Sequence, residues 1–238
     1  MSEIHKPPIR KDYTMKIAPF ALAFVAGAAC ALTLAAVQDS KGTKAAGHDK
    51  PVLFDPNDPN SPGMKAWMEA ATPGKMHEWL AKDAGHWTGT CTQWMLPDSQ
   101  PTTSSTSMTN TMILGGRYLK QEYKGEMPGF GTFEGFSIVA YDNAAKRFQN
   151  AWVDNMGTGM MTGTGELSSD EKTLNWAFSF YCPIQQKQCS LREVLTRTGD
   201  DTCVLDMYTN DESGKEYKCM HIDLKRDSKA ATTASAAK

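Results

Sequence analysis

The strongest constraint on this chain is a cadence. From Trp87 to Arg226, stretches rich in Thr, Val, Tyr, Phe and Trp alternate with turn clusters at intervals of about eight to twelve residues. The clusters are Leu114-Gly115-Gly116, Met127-Pro128-Gly129, Asp142-Asn143, Ser168-Ser169-Asp170, Gly199-Asp200-Asp201 and Asp211-Glu212-Ser213-Gly214. Their residues tolerate left-handed backbone or hydrogen-bond their own main chain, and so end a strand. Strands are predicted at 87–96, 104–114, 117–125, 131–141, 147–154, 160–167, 173–182, 189–198, 202–210 and 215–226. Connections this short force neighbours antiparallel. With no second layer in view, the strands close on themselves and lose their exposed edges. The expected fold class is all-β: an up-and-down antiparallel barrel of about ten strands over residues 85–227.

Within that run, Phe148 to Leu167 is the most distinctive hairpin. Phe148, Asn150 and Trp152 alternate with Gln149, Ala151 and Val153, the period of a strand with two unlike faces. Asp154-Asn155 and Gly157-Thr158-Gly159 make the turn, and Gly163 and Gly165 thin one face of the return strand.

Ahead of the barrel, residues 61–84 read as two short helices. Ser61-Pro62 starts one carrying Met64, Trp67 and Met68 on a face, and Thr72-Pro73 starts another carrying Met76, Trp79 and Leu80. Both faces read as packing surfaces that lid or plug one barrel end. Residues 38–60 form a polar linker, and the Ala/Thr/Ser/Lys tail 228–238 reads as disordered.

The first 37 residues are an address. Lys6, Arg10, Lys11 and Lys16 precede an uncharged run of 21 residues, Ile17 to Val37. Two fates are open: cleavage as a signal peptide at Thr33-x-Ala35, or retention as an N-in membrane anchor. Either way the barrel is expected outside the cytoplasm, touching a membrane only through that segment. Residues 1–48 hold six of the 25 Lys/Arg and three of the 27 Asp/Glu, which leaves the remainder at −5. That charge, with no basic cluster, speaks against nucleic acid.

Five cysteines follow Cys30, and an oxidising compartment favours bridging them. Cys182 and Cys189, flanking a six-residue loop, are the simplest pair. Cys203 and Cys219 read as near-neighbours across the last hairpin, with Cys91 as the odd one or as partner to either.

Gly85-His86-Trp87 at the first strand resembles the lipocalin and wider calycin signature. That resemblance implies a tryptophan plugging the barrel bottom under a basic side chain near the last strand, here Lys225 or Arg226. Over roughly residues 64–226, the strings GHWTGT, MILGGRYL, YKGEMPGFGTFEG, YDNAAKRF, AWVDNMGTGMM, LREV and GKEYKCM resemble a bacterial family of unknown function with a Trp-x-Asp-x-Met-Gly-Thr-Gly hairpin. It implies a calycin-like, often exported barrel and carries no catalytic residues. Gly85-x-Trp87-x-Gly89 ahead of a ten-strand barrel also resembles the haem-binding nitrobindins, which implies His221 in the last strand as an iron ligand. Read from its own context, a lone strand histidine is a surface or core group, and no other cofactor or metal is expected.

The candidate ligand-binding residues are Trp152, Asp154, Asn155, Thr158 and Met160 at the hairpin, with Arg117 and Arg192. Asp154 and Asn155 also suit plain Asx-turns. Arg117 and Arg192 are balanced between solvent and a polar cavity, whereas Glu193 is expected to face solvent. Neither a hydrolase triad nor a Gly-x-Ser-x-Gly elbow is present. The expectation is a non-catalytic barrel for a small apolar or amphipathic molecule. The alternatives are a low-specificity enzyme at the barrel mouth and a ligand-free structural module.

Overall fold

The computed structural model describes residues 54, 55, 57–183 and 185–228. The expected leader or anchor, most of the linker before residue 54 and the tail beyond 228 lie outside the described residues. Among the described residues, no helix is long and apolar enough to cross a membrane.

Two helices, α1 (Pro62–Ala71) and α2 (Lys75–Ala81), precede ten strands. These are β1 (Gly85–Gln93), β2 (Thr102–Ile113), β3 (Tyr118–Met127), β4 (Gly131–Asp142) and β5 (Arg147–Asp154). There follow β6 (Met161–Leu167), β7 (Thr173–Cys182), β8 (Lys187–Gly199), β9 (Thr202–Asn210) and β10 (Glu216–Arg226). Each strand pairs with its chain neighbours, and β1 pairs with β10 to close the barrel. The turn clusters decide this meander, as at Gly115 and Gly116, whose φ values of 68° and 80° suit glycine.

Side-chain parity follows from the pleat. Odd positions face inward on β3, β4, β8 and β9, and even positions on β5, β7 and β10. Phe148, Trp176 and Phe178 therefore meet Leu119, Val139 and Leu174 in the lower core. Each such side chain, fully buried, contributes roughly 1.5–3 kcal/mol. Glycines make room for the rings: a Cβ on Gly163 would lie 2.5 Å from Phe178, and one on Gly165 2.7 Å from Trp176.

Helix α2 plugs the lower end with His77, Trp79 and Leu80 buried. It begins later than the sequence suggests. Gly74 is its N-cap, giving its N–H to His77 Nδ1 at 3.0 Å, while Thr72 closes α1 and bonds back to Met68 O at 2.6 Å. Helix α1 corrects another expectation. It buries no residue, and Trp67 and Met68 are 57 % and 55 % exposed. Its C-terminus is held mainly by polar contacts, with Asn143 Nδ2 2.8 Å from Thr72 O and Arg117 Nε 3.1 Å from Ala71 O.

The plug is latched by cations over indoles. Arg226 lies 4.3 Å over the Trp87 ring and Arg197 3.5 Å over Trp79. Of the two basic residues considered for the Trp87 position, Arg226 supplies the group. Asp83 O accepts from both Trp87 Nε1 and Asn110 Nδ2 at 2.9 Å, so one carbonyl ties the plug to β1 and β2.

Candidate functional site

Above the plug, the barrel retains a cavity of about 120 Å³ that reaches toward the upper rim. Its walls include Trp152, Met161, Phe178, Met207, Met220 and Ile222, which β5, β6, β7, β9 and β10 direct inward. A smaller hollow of about 30 Å³ lies beneath and shares Gln121, Tyr123, Glu193 and Leu205 with it. The larger groove of about 650 Å³ beside Trp79, Lys82 and Asp200 is an open, charged surface feature outside the plug.

The polar groups inside are few and distinctive. Ser137 donates to Gln121 Oε1 at 3.1 Å, and Gln121 Nε2 faces only Met108 sulfur at 3.8 Å. Asn150 Oδ1 is buried with no hydrogen-bond partner. Glu193 stands opposite Trp176 on β7 and Met207 on β9, with no ion pair or hydrogen bond among the described residues. Burial pushes its carboxyl up to about 7. It nevertheless keeps some accessible surface, because it faces the cavity. Burial, reinforced by Glu193, also raises the Tyr123 hydroxyl well above its ordinary range. The Cys91 thiol on the same wall is pushed up to about 11 by burial, so it is not an activated nucleophile.

Of the residues singled out from the sequence, Trp152 lines this cavity. Its Nε1 donates to Asp154 Oδ2 at 2.7 Å, and Asp154 Oδ1 caps the Met156 N–H at 2.9 Å. The ring packs edge-on to Tyr123 at 5.2 Å and stacks with Phe133 at 6.2 Å. It lies over Gly135, where a Cβ would be 2.6 Å away. The Trp-x-Asp spacing is thus an orienting device: two same-face residues fix one indole against the cavity wall.

The others lie elsewhere. Asn155 ties the turn to β4, accepting from Glu134 N at 3.0 Å and donating to Thr132 O at 2.9 Å. Thr158 and Met160 are exposed on the turn. Arg117 belongs to the plugged end, where it also donates to Leu114 O at 3.2 Å. Arg192 is on the outer wall, holding Glu216 through two bonds of 3.0 and 2.8 Å and stacking 3.9 Å over Tyr208. His221 is outside as well, its ring nitrogens 2.7 Å from Asp206 and 3.2 Å from Asp223. It does not enter the cavity. Among the described residues no His/Cys/Asp/Glu group could hold a metal.

Glu193 is the residue that sequence reasoning turned the wrong way. In Leu191-Arg192-Glu193-Val194-Leu195 both parities carry an apolar residue, so alternation alone cannot orient the strand. Leu191 and Leu195, packed against the core, put Glu193 inside.

The cysteine pairing also needs correction. Cys203 stands opposite Leu224, whereas Cys219 sits in the β10 irregularity between Lys218 and Met220, far along the hairpin. Cys91 is opposite Ile222 and Ser104, in register with neither. Cys182 and Cys189 are diagonal neighbours on the β7–β8 hairpin, both unbridged thiols that meet Gln185: Cys182 Sγ accepts from its N–H at 3.5 Å and Cys189 Sγ donates to its Oε1 at 3.6 Å.

Comparison with known proteins agrees with this architecture. The crystal structure of Rv2717c from M. tuberculosis superposes with a TM-score of 0.51 at 11 % identity, covering 66 % of this chain and 99 % of that one. At that identity the likeness concerns the fold alone. No curated protein matches the sequence. A family model described as "Protein of unknown function (DUF1579)" matches residues 72–226, and the chain belongs to that family.

Proposed function

We propose that this protein is an exported, non-catalytic barrel that holds a small apolar or amphipathic molecule in its upper cavity. The observation that carries the reading is the pairing of an apolar wall with unsatisfied polar groups. Such groups are costly to bury and gain a partner when a ligand arrives. The volume of about 120 Å³ suits a compact ligand or the head of a longer one emerging at the rim. A filled structural module would have no such hollow, and the export assignment rests on the basic and apolar segment before Val37.

A general acid–base enzyme is the second reading, favoured by the Glu193 carboxyl being poised near 7. Against it, the lining described here brings no histidine and no activated nucleophile to that carboxyl.

Native mass spectrometry of protein purified from its own host, followed by denaturing extraction, tests the proposal. A reproducible extra mass that leaves on denaturation is expected. Protein that is always empty, and that binds no member of a small amphipathic library, would overturn it.

A further inference from the structure

The cavity is one-sided in charge. Two carboxylates line it, Glu193 inside and Glu126 at the rim, and no Lys, Arg or His does. Two of the acceptors that line it are also without a donor. Asn150 Oδ1 has no donor, and no hydrogen bond or ion pair reaches the half-buried Glu193 carboxylate among the described residues. An apolar ligand alone would leave both groups desolvated and unanswered. A ligand carboxylate would add repulsion to a site already holding two acids. The missing complement is a donor with positive charge. Tyr123, Trp152 and Phe133 form a contiguous aromatic wall around it, a surface that also favours cations.

We propose that the ligand is an aliphatic amine: its ammonium is held by Glu193 and the Asn150 carbonyl, and its hydrocarbon part lies against Met161, Phe178, Met207 and Met220. This rests on the reading of the barrel as a small-molecule binder and adds the chemical class of the ligand. Binding brings a counter-charge to a carboxylate that folding leaves without one. The same arrangement gives selectivity, because an isosteric alcohol answers the acceptors without the charge, and an isosteric acid answers neither.

Calorimetric titration at pH 8 of the barrel protein with n-hexylamine, n-hexanol and n-hexanoate separates this proposal from the broader one. The amine is expected to bind about tenfold or more tighter than the alcohol, the scale of one charge-assisted hydrogen bond. Hexanoate is expected to bind least. Glu193→Gln, which keeps the shape and removes the charge, should bring the three to within a factor of a few. Alcohol or acid binding as well as the amine would overturn the amine assignment and leave the binder reading standing. Equal weakening of all three ligands in Glu193→Gln would also overturn it, since that marks damage to the cavity and not loss of a charge. Binding of none of the three would overturn both.

A pH series supplies a readout independent of the variant. The amine preference should shrink between pH 8 and pH 5 as Glu193 takes up its proton, with hexanol unchanged. The other titratable groups of the interior are Tyr123, Cys91 and Cys203, held neutral by burial, with the Asp83–Arg197 pair below and Glu126 at the rim. An amine preference constant across that range would count against the role of Glu193.

Discussion

The Arg197 guanidinium donates to Asp83 Oδ1 at 3.0 Å across 114 residues of sequence, fastening the end of α2 to the floor of the barrel. Their side chains are 15 % and 12 % exposed, and burial raises the Asp83 carboxyl despite the arginine beside it. Desolvation therefore outweighs attraction, yet each charge depends on the other. Arg197→Met should destabilise the fold by about 3–5 kcal/mol, because it leaves a buried carboxylate alone. Adding Asp83→Asn should restore part of that loss, as measured by urea unfolding.

Glu193 makes stability pH-dependent in a direction opposite to most carboxylates. Its value in the fold is about 7 against an ordinary 4.5, so the native state holds its proton more tightly than the unfolded chain. The stabilisation is complete below about 4.5 and is lost as pH rises through about 7. The cost at pH 8 is on the order of 3 kcal/mol. Glu193→Gln should accordingly stabilise the protein at pH 8 relative to wild type and gain little at pH 4.5. Equal gains at the two pH values would contradict a buried, unpaired acid.

Interior glycines set how the rings lie. Gly165→Ala places a methyl 2.7 Å from the Trp176 ring, and the lower core should lose about 1–3 kcal/mol through forced repacking. Gly135→Ala acts on the cavity, since its methyl would fall 2.6 Å from Trp152. There the expected outcome is a shift in tryptophan emission and altered ligand affinity. Unfolding curves and emission spectra of the two variants separate these effects.

The thiols should divide by position. Burial raises Cys91 and Cys219 to about 11 and Cys203 to about 12, so all three should resist a thiol reagent until the protein unfolds. Cys182 and Cys189, adjacent at the upper rim, should couple to one another under oxidising conditions. Peptide mapping of oxidised protein checks this: a bridge involving Cys203 and Cys219 would contradict the strand register.

The barrel itself was legible in advance. Turn clusters at Gly115-Gly116, Pro128-Gly129 and Asp211 to Gly214 end strands wherever they stand, and the ten observed strands fall close to the expected bounds. Period-two alternation in Phe148, Asn150 and Trp152 marked a strand with two unlike faces, of which packing turned this one inward, and the calycin resemblance pointed to Lys225 or Arg226 over Trp87, where Arg226 stands. The candidate site was legible only at Trp152. Asp154 and Asn155 were visible as polar turn residues; both build the turn, and Asp154 also holds the Trp152 indole against the cavity wall.

Local sequence determined where the chain extends and where it reverses, because turn preferences and strand periodicity act over a few residues. Tertiary structure decided which face each strand turned inward. Arg192 and Glu193 are adjacent, and a one-residue change of register would exchange them. Packing of Leu191 and Leu195 against the core sends the acid inside and leaves the arginine outside with Glu216. The cavity, its unpaired acceptors and its charge all follow from that choice, which depends on contacts among distant strands and on closure of β1 against β10.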